Sequence, residues 1–160
     1  MRKLWAALRA VDTEVWLLLG LSVFAWAPLA APGYFLKAHD APHTIFFLNA
    51  FDQTLRDGYL TPRWSADFAL GYGYPLFLFL SPLAYYVAET FHLLGAGLTV
   101  AVKLTFALSF VLSGLVMYAL GRRLFGRAAG LLAGVLYIYI PYHLVDVTVR
   151  GDLAESFAFI

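Results

Sequence analysis

Two groups of ionisable side chains in this sequence have the types and spacing for acid–base or phosphate chemistry. The first is His39-Asp40. A carboxylate there could take a proton from a hydroxyl nucleophile or share a divalent cation. Its structural alternative is local, because Asp is a favoured N-cap and Pro42 suits the first turn of a helix. The second group is Asp146, Arg150, Asp152 and Glu155, with His143 just upstream. Asp146 and Arg150 are four apart, so a helical turn would pair them as a plain surface ion pair. The functional alternative makes Arg150 a clamp for a phosphate, which His143 could also reach, and makes one of the acids a partner of Asp40. His39 and His43 are also four apart, as metal ligands on a helix are. Pro42 and a helix start at Asp40 spoil that geometry and no third ligand is spaced nearby, so they read as ordinary surface histidines. A divalent cation is compatible with the acids, but no motif supports one and no metal ligand is assigned.

These groups need a frame, and the composition says what kind. The chain is 62% apolar and 13% charged, with a mean hydropathy of +0.76. A soluble domain is about half apolar and a quarter charged, so an all-α, polytopic integral membrane protein is expected. The net charge of +1 shows no basic stripe, and no nucleic-acid module is present, which argues against a nucleic-acid partner. With no cysteine there are no disulfides and no thiolate metal sites. Residues 37–75 hold four of the ten acids and two of the four histidines, with Tyr, Trp and Gly among them. So many polar groups cannot face lipid, so this stretch is expected to be an aqueous loop.

Residues 15–31 form an apolar run of about the minimum spanning length. Arg2, Lys3 and Arg9 ahead of it place residues 1–14 in the cytoplasm by the positive-inside rule. A cleaved signal peptide is the alternative, but Asp12 and Glu14 and the length of the run are unusual for one. Residues 40–57 suit an amphipathic surface helix. Ile45, Leu48, Phe51 and Leu55 take one side, Asn49, Asp52, Gln53 and Arg56 the other, and Gly58 stops it. Residues 76–94 are long enough to span yet contain Ser81-Pro82, Glu89 and His92. If they crossed, Arg122, Arg123 and Arg127 would lie outside, against the charge rule.

The preferred topology therefore keeps residues 32–97 as one outer loop with interfacial helices. Residues 98–120 span, 121–127 form a cytoplasmic turn, 128–142 span back, and 143–155 form a second outer loop. Residues 153–160 begin a further helix, which marks the chain as the N-terminal portion of a larger domain. Lys103 is expected to snorkel to the headgroups. Gly130 and Gly134 form a small-xxx-small pair suited to close helix packing. Trp64, Tyr72, Tyr74, Tyr85 and Tyr86 could stack on a sugar, with an interfacial aromatic belt preferred for Tyr85 and Tyr86.

With these residues in view, the chain resembles the N-terminal part of GT-C membrane glycosyltransferases, such as protein O-mannosyltransferases and bacterial aminoarabinose transferases. The resemblance lies in one membrane helix, Asp40 in a long first outer loop, a surface helix, PLFLFLSPLAYY, LGRRLFGRAAGLLAG, and a second outer loop with acids. HDAPHTIFFLNAFDQTLRDGYLTPRW, GYGYPLFLF and YHLVDVTVRGDLAE are more closely similar to a bacterial family of large membrane proteins. Its domain is labelled 6-pyruvoyl-tetrahydropterin synthase-related. The label does not imply pterin chemistry, since the chain lacks a three-His zinc site. The GT-C resemblance implies a location in the bacterial plasma membrane and transfer of a sugar, with inversion, from a polyprenyl-phosphate donor outside the membrane. It implies Asp40 and Asp146 as catalytic acids, with Asp40 the base. Arg150 would hold the lipid phosphate, with His143, Asp152, Glu155 and His39 around the substrate. Many relatives follow the first acid with a second, whereas here Ala41 follows Asp40, which puts metal dependence in question. The alternative is a non-enzymatic membrane protein, a transporter or a component of envelope-polymer assembly. Sugar, acceptor and oligomeric state are not legible.

Overall fold

A computed structural model describes residues 12–34 and 37–160, and all its regular elements are helical. Arg2, Lys3 and Arg9, on which the cytoplasmic placement of the N-terminus rests, lie outside the described residues. The first helix, α1, runs Thr13–Trp26 and continues as a 3-10 turn over Ala27–Ala30. The surface helix α2 is Ala41–Arg56. Short α3 (Leu76–Phe79) and α4 (Leu83–Leu93) are separated by the Ser81-Pro82 break. Long α5 is Leu98–Phe125 and α6 is Arg127–Tyr139, followed after Ile140 by α7 (Pro141–Val145), a π turn at Asp146–Arg150, and α8 (Leu153–Ala158).

Among the described residues, three helical runs are long and apolar enough to cross a membrane: Thr13–Ala30, Leu98–Phe125 and Arg127–Arg150. The 11 residues of α4 rise only about 16 Å, half of a hydrocarbon core of roughly 30 Å. Residues 143–155, expected as a loop, are mostly helical. The helix is interrupted at Ile140, whose ψ of 131° is extended, and restarts at Pro141, an N1 position where the missing N–H costs nothing.

The frame is a helical hairpin, α5 against α6, with α1 laid across both. Gly130 and Gly134 let the two backbones meet. A Cβ on Gly130 would lie 2.7 Å from the Arg122 nitrogen, and one on Gly134 would lie 2.8 Å from the Gly114 carbonyl oxygen. Such small-residue contacts hold helices together where lipid offers no hydrophobic drive. The hairpin turns at Gly126, whose φ of +91° suits glycine. Beside this turn, Asp12 is ion-paired to Arg122 and, at 3.2 Å, to Arg127, and it accepts a hydrogen bond from the Tyr118 hydroxyl at 3.2 Å. At the far end of the hairpin, Lys103 donates to the Ala31 carbonyl at 2.7 Å.

Helix α2 packs on α4 and α5 through Leu48 and Phe51, both fully buried. Phe51 stands edge-on to Phe77 and Tyr86, with centroids 5.0 and 4.8 Å away. Asp52, expected on the solvent side of α2, is instead buried beside this cluster. Its carboxylate tolerates the position because Arg56, one turn on, donates to it at 2.7 Å.

Candidate functional site

The two ionisable groups of the sequence meet at the start of α2. The His39 N–H donates to the Val149 carbonyl at 3.0 Å, and the Asp40 N–H donates to the Arg150 carbonyl at 2.6 Å. The Thr44 hydroxyl donates to the Gly151 carbonyl at 2.9 Å. The segment before α2 is therefore stitched, main chain to main chain, to the end of the π turn. Such bonds contribute about 1 kcal/mol each, and they hold the two segments together whatever side chains they carry. The stitch needs Gly151, whose φ is +73° and whose Cα faces Ala41. A Cβ there would lie 3.0 Å from both the Ala41 nitrogen and its Cβ.

Beside this junction three carboxylates surround one guanidinium. Arg150 pairs with Glu155, with Asp146 at 3.3 Å and with Asp152 at 3.7 Å, and donates to the Tyr142 hydroxyl at 3.1 Å. Asp146 has no exposed surface, and its oxygens find no hydrogen bond of good geometry among the described residues. Its contact with Arg150 is thus coulombic rather than a directed bond. Asp152 is committed locally, because its Oδ1 accepts from the Ala154 and Glu155 N–H groups at 3.0 Å each and caps α8. Glu155 also accepts from the Tyr142 hydroxyl at 2.5 Å.

Asp40 is the exception. It stands at the N-cap position of α2, yet its carboxylate makes no capping bond, so the capping duty read from the sequence is not what its side chain does. Its side chain is about half exposed, and its ionic contact among the described residues is His43, at 3.9 Å. Of the four acids it is the most exposed and the one without a contact to Arg150. Here His39 contributes its backbone and exposes its ring. His43 lies against Phe47, with centroids 6.1 Å apart.

His143 is brought inside the bundle rather than to the acids. Its ring is sandwiched between Phe110 and Phe159, with centroids at 4.5 and 4.6 Å, and its Nδ1 meets the Tyr137 carbonyl at 3.3 Å. No group of three His, Asp or Glu side chains among the described residues is arranged to hold a metal ion.

Two side chains of α4 are more deeply buried than the sequence reading placed them. Tyr85 is only 2% exposed and packs 5.6 Å from Phe77, so it does not belong to an interfacial belt. Burial first, then the charge of Asp152, then Tyr34 and Asp40, push its phenol well above the ordinary tyrosine range, so the hydroxyl stays protonated beneath the acids. Tyr86 is likewise engaged, donating to the Leu60 carbonyl at 2.7 Å. Glu89, one turn after Tyr85, is 2% exposed and neither oxygen has a hydrogen-bond partner among the described residues. Its carboxyl is pushed up to about 6, first by burial and then by the nearby Asp52. Ala84, Tyr85, Ala88 and Glu89 recur at helical spacing, and that pattern was the available sign of a buried face.

Residues 80–154, just under half of the chain, match the family described as dolichyl-phosphate-mannose-protein mannosyltransferase. The matched stretch contains Tyr85, His143, Asp146, Arg150 and Asp152, while His39 and Asp40 precede it and Glu155 is one residue beyond. No curated protein and no solved structure matches the chain. The chain is thus a helical membrane protein, and its residues 80–154 are similar to membrane glycosyltransferases of the GT-C type. The match does not bear on the bacterial family with the pterin-synthase label.

Proposed function

We propose that the chain belongs to a bacterial plasma-membrane glycosyltransferase. It would transfer a sugar from a polyprenyl-phosphate donor to an acceptor on the extracytoplasmic face. The observation that carries this reading is the convergence of Asp40 with the acids around Arg150, the latter inside the segment similar to mannosyltransferases. Asp40 is the general base: it is ionisable, half exposed and bonded to no cation except the 3.9 Å contact with His43. It takes the proton of the acceptor hydroxyl as the oxygen attacks the anomeric carbon and the polyprenyl phosphate departs, which inverts the configuration.

Asp146 has a different role from Asp40, because it is buried behind Arg150. It orients the guanidinium, and Arg150 in turn meets the donor phosphate through the N–H groups its carboxylates leave unused. Three carboxylates already surround Arg150. The phosphate therefore binds by exchanging with Glu155 or Asp152, both partly exposed, and not with buried Asp146.

Full-length protein in lipid nanodiscs, given a polyprenyl-phosphate sugar, is expected to release free polyprenyl phosphate and transfer or hydrolyse the sugar. Asp40→Asn is expected to lower that rate by about 10²–10⁴-fold. Full activity in Asp40→Asn would overturn the assignment of the base.

A further inference from the structure

Beyond the acidic junction, the first outer segment builds a second recess that the proposed transfer does not use. A cleft of about 890 Å³ lies at the C-terminal end of α2, lined by Gln53, Arg56, Asp57, Tyr59, Arg63, Trp64 and Asp67 among others. This is within the size range of small-molecule sites. Ala50, the first α2 residue of its lining, lies ten residues beyond Asp40, so about 15 Å of helix separates the near edge of the cleft from Asp40.

The cleft is built around an aromatic plane. Trp64 is 53% exposed, and its indole lies over the main chain of Gly73, where a Cβ would come within 2.3 Å of the ring nitrogen. An antiparallel bridge fixes that arrangement, with the Ser65 N–H to the Tyr74 carbonyl at 2.8 Å and the Tyr74 N–H to the Ser65 carbonyl at 3.0 Å. The bond from Tyr86 to the Leu60 carbonyl ties the other side of the cleft to α4. One part of the ring is therefore backed by glycine, and the rest forms a wall.

Round this wall, Gln53, Asp57, Arg63 and Asp67 make no side-chain hydrogen bond among the described residues. Arg56 uses its Nε on Asp52, which leaves its two Nη groups. Planar amide, carboxylate and guanidinium groups beside a bare indole match a ligand with an apolar ring face and a rim of hydroxyls. Two arginines face two aspartates, and Asp52 already pairs with one of those arginines. The recess has no surplus positive charge to favour a phosphate or a carboxylate.

We infer that this cleft is a carbohydrate-binding subsite for a neutral saccharide, with Trp64 as the stacking platform. Binding there is independent of transfer. That the saccharide belongs to the acceptor rests on the glycosyltransferase reading.

The test is saturation-transfer NMR and calorimetry on full-length protein in zwitterionic nanodiscs. The probes are mannotriose, maltotriose and triacetylchitotriose, with trigalacturonate as the anionic counterpart and empty nanodiscs as control. At least one neutral trisaccharide is expected to bind saturably, with affinity reduced about tenfold or more in Trp64→Ala. A similar loss is expected in Gly73→Ala, whose Cβ displaces the ring, and a smaller one in Arg63→Ala. Trp64 and Arg63 are both exposed, so these two variants retain the fold even if Gly73→Ala does not. Asp40→Asn is expected to bind the trisaccharide like the parent protein, which separates failure of this subsite from failure of the transfer chemistry. The inference is overturned by no saturable binding of any neutral probe, by binding unchanged in Trp64→Ala, by preference for trigalacturonate, or by signals that empty nanodiscs reproduce.

Discussion

Asp40 and Asp146 are the same residue type in one junction, and their surroundings give them different work. Asp40 keeps free lone pairs toward water, whereas Asp146 is sealed against Arg150. Asp40 joins the junction through its backbone N–H, so Asp40→Asn is expected to leave the thermal midpoint unchanged while it removes activity. The sequence carried both positions but not this division of labour, because burial is set by α8 and the bundle, not by spacing. Glu89 gives a second residue-scale expectation. Its carboxyl is raised by burial and by Asp52, against the smaller lowering effects of His92 and Arg56. An acid with a folded-state pKa above its unfolded value stabilises the fold most at low pH. That contribution is lost as pH rises through about 6. Glu89→Gln is therefore expected to raise the thermal midpoint at pH 7.5 and to flatten its dependence on pH between 4.5 and 7, measured by scanning fluorimetry.

At the scale of elements, the junction depends on a helix start meeting a helix end. Helix α2 was legible from its apolar spacing, its Pro42 and its terminal Gly58. The π turn was not, because its five residues read equally as a loop, and only its closure by Gly151 and its bonds to residues 39 and 40 define it. Asp52 was misplaced for a related reason. A helical wheel sorts residues by polarity, whereas the structure buries a carboxylate that carries its own arginine. Gly151→Ala is expected to destabilise the fold by about 2 kcal/mol, through the strain of positive φ and the contact with Ala41. It should also lower transfer activity, because α2 must move away from the π turn. Gly151→Ala with unchanged stability and activity would show that the stitch does not position the site.

For the whole molecule, the ionic groups sort to opposite ends of the α5–α6 hairpin. Asp12, Arg122 and Arg127 are joined at the Gly126 turn, while residues 39–40 and 149–151 are joined at the other end. The helical membrane class followed from continuous apolar runs of spanning length, since lipid admits only helices and closed barrels and barrel strands alternate instead. The meeting of residues 110 apart in sequence followed from no local pattern. It depends on the length of α5, which sets where the return helix delivers Arg150. We propose that the arginine turn faces the cytoplasm and the acidic junction the outside.

Single cysteines at Phe125 and Thr148, both at exposed positions, test that assignment with a membrane-impermeant thiol reagent on intact cells. Thr148→Cys is expected to label at once and Phe125→Cys only after the membrane is permeabilised. Labelling of Phe125→Cys from outside intact cells, with Thr148→Cys silent, would put the acids on the cytoplasmic side and contradict the proposed site.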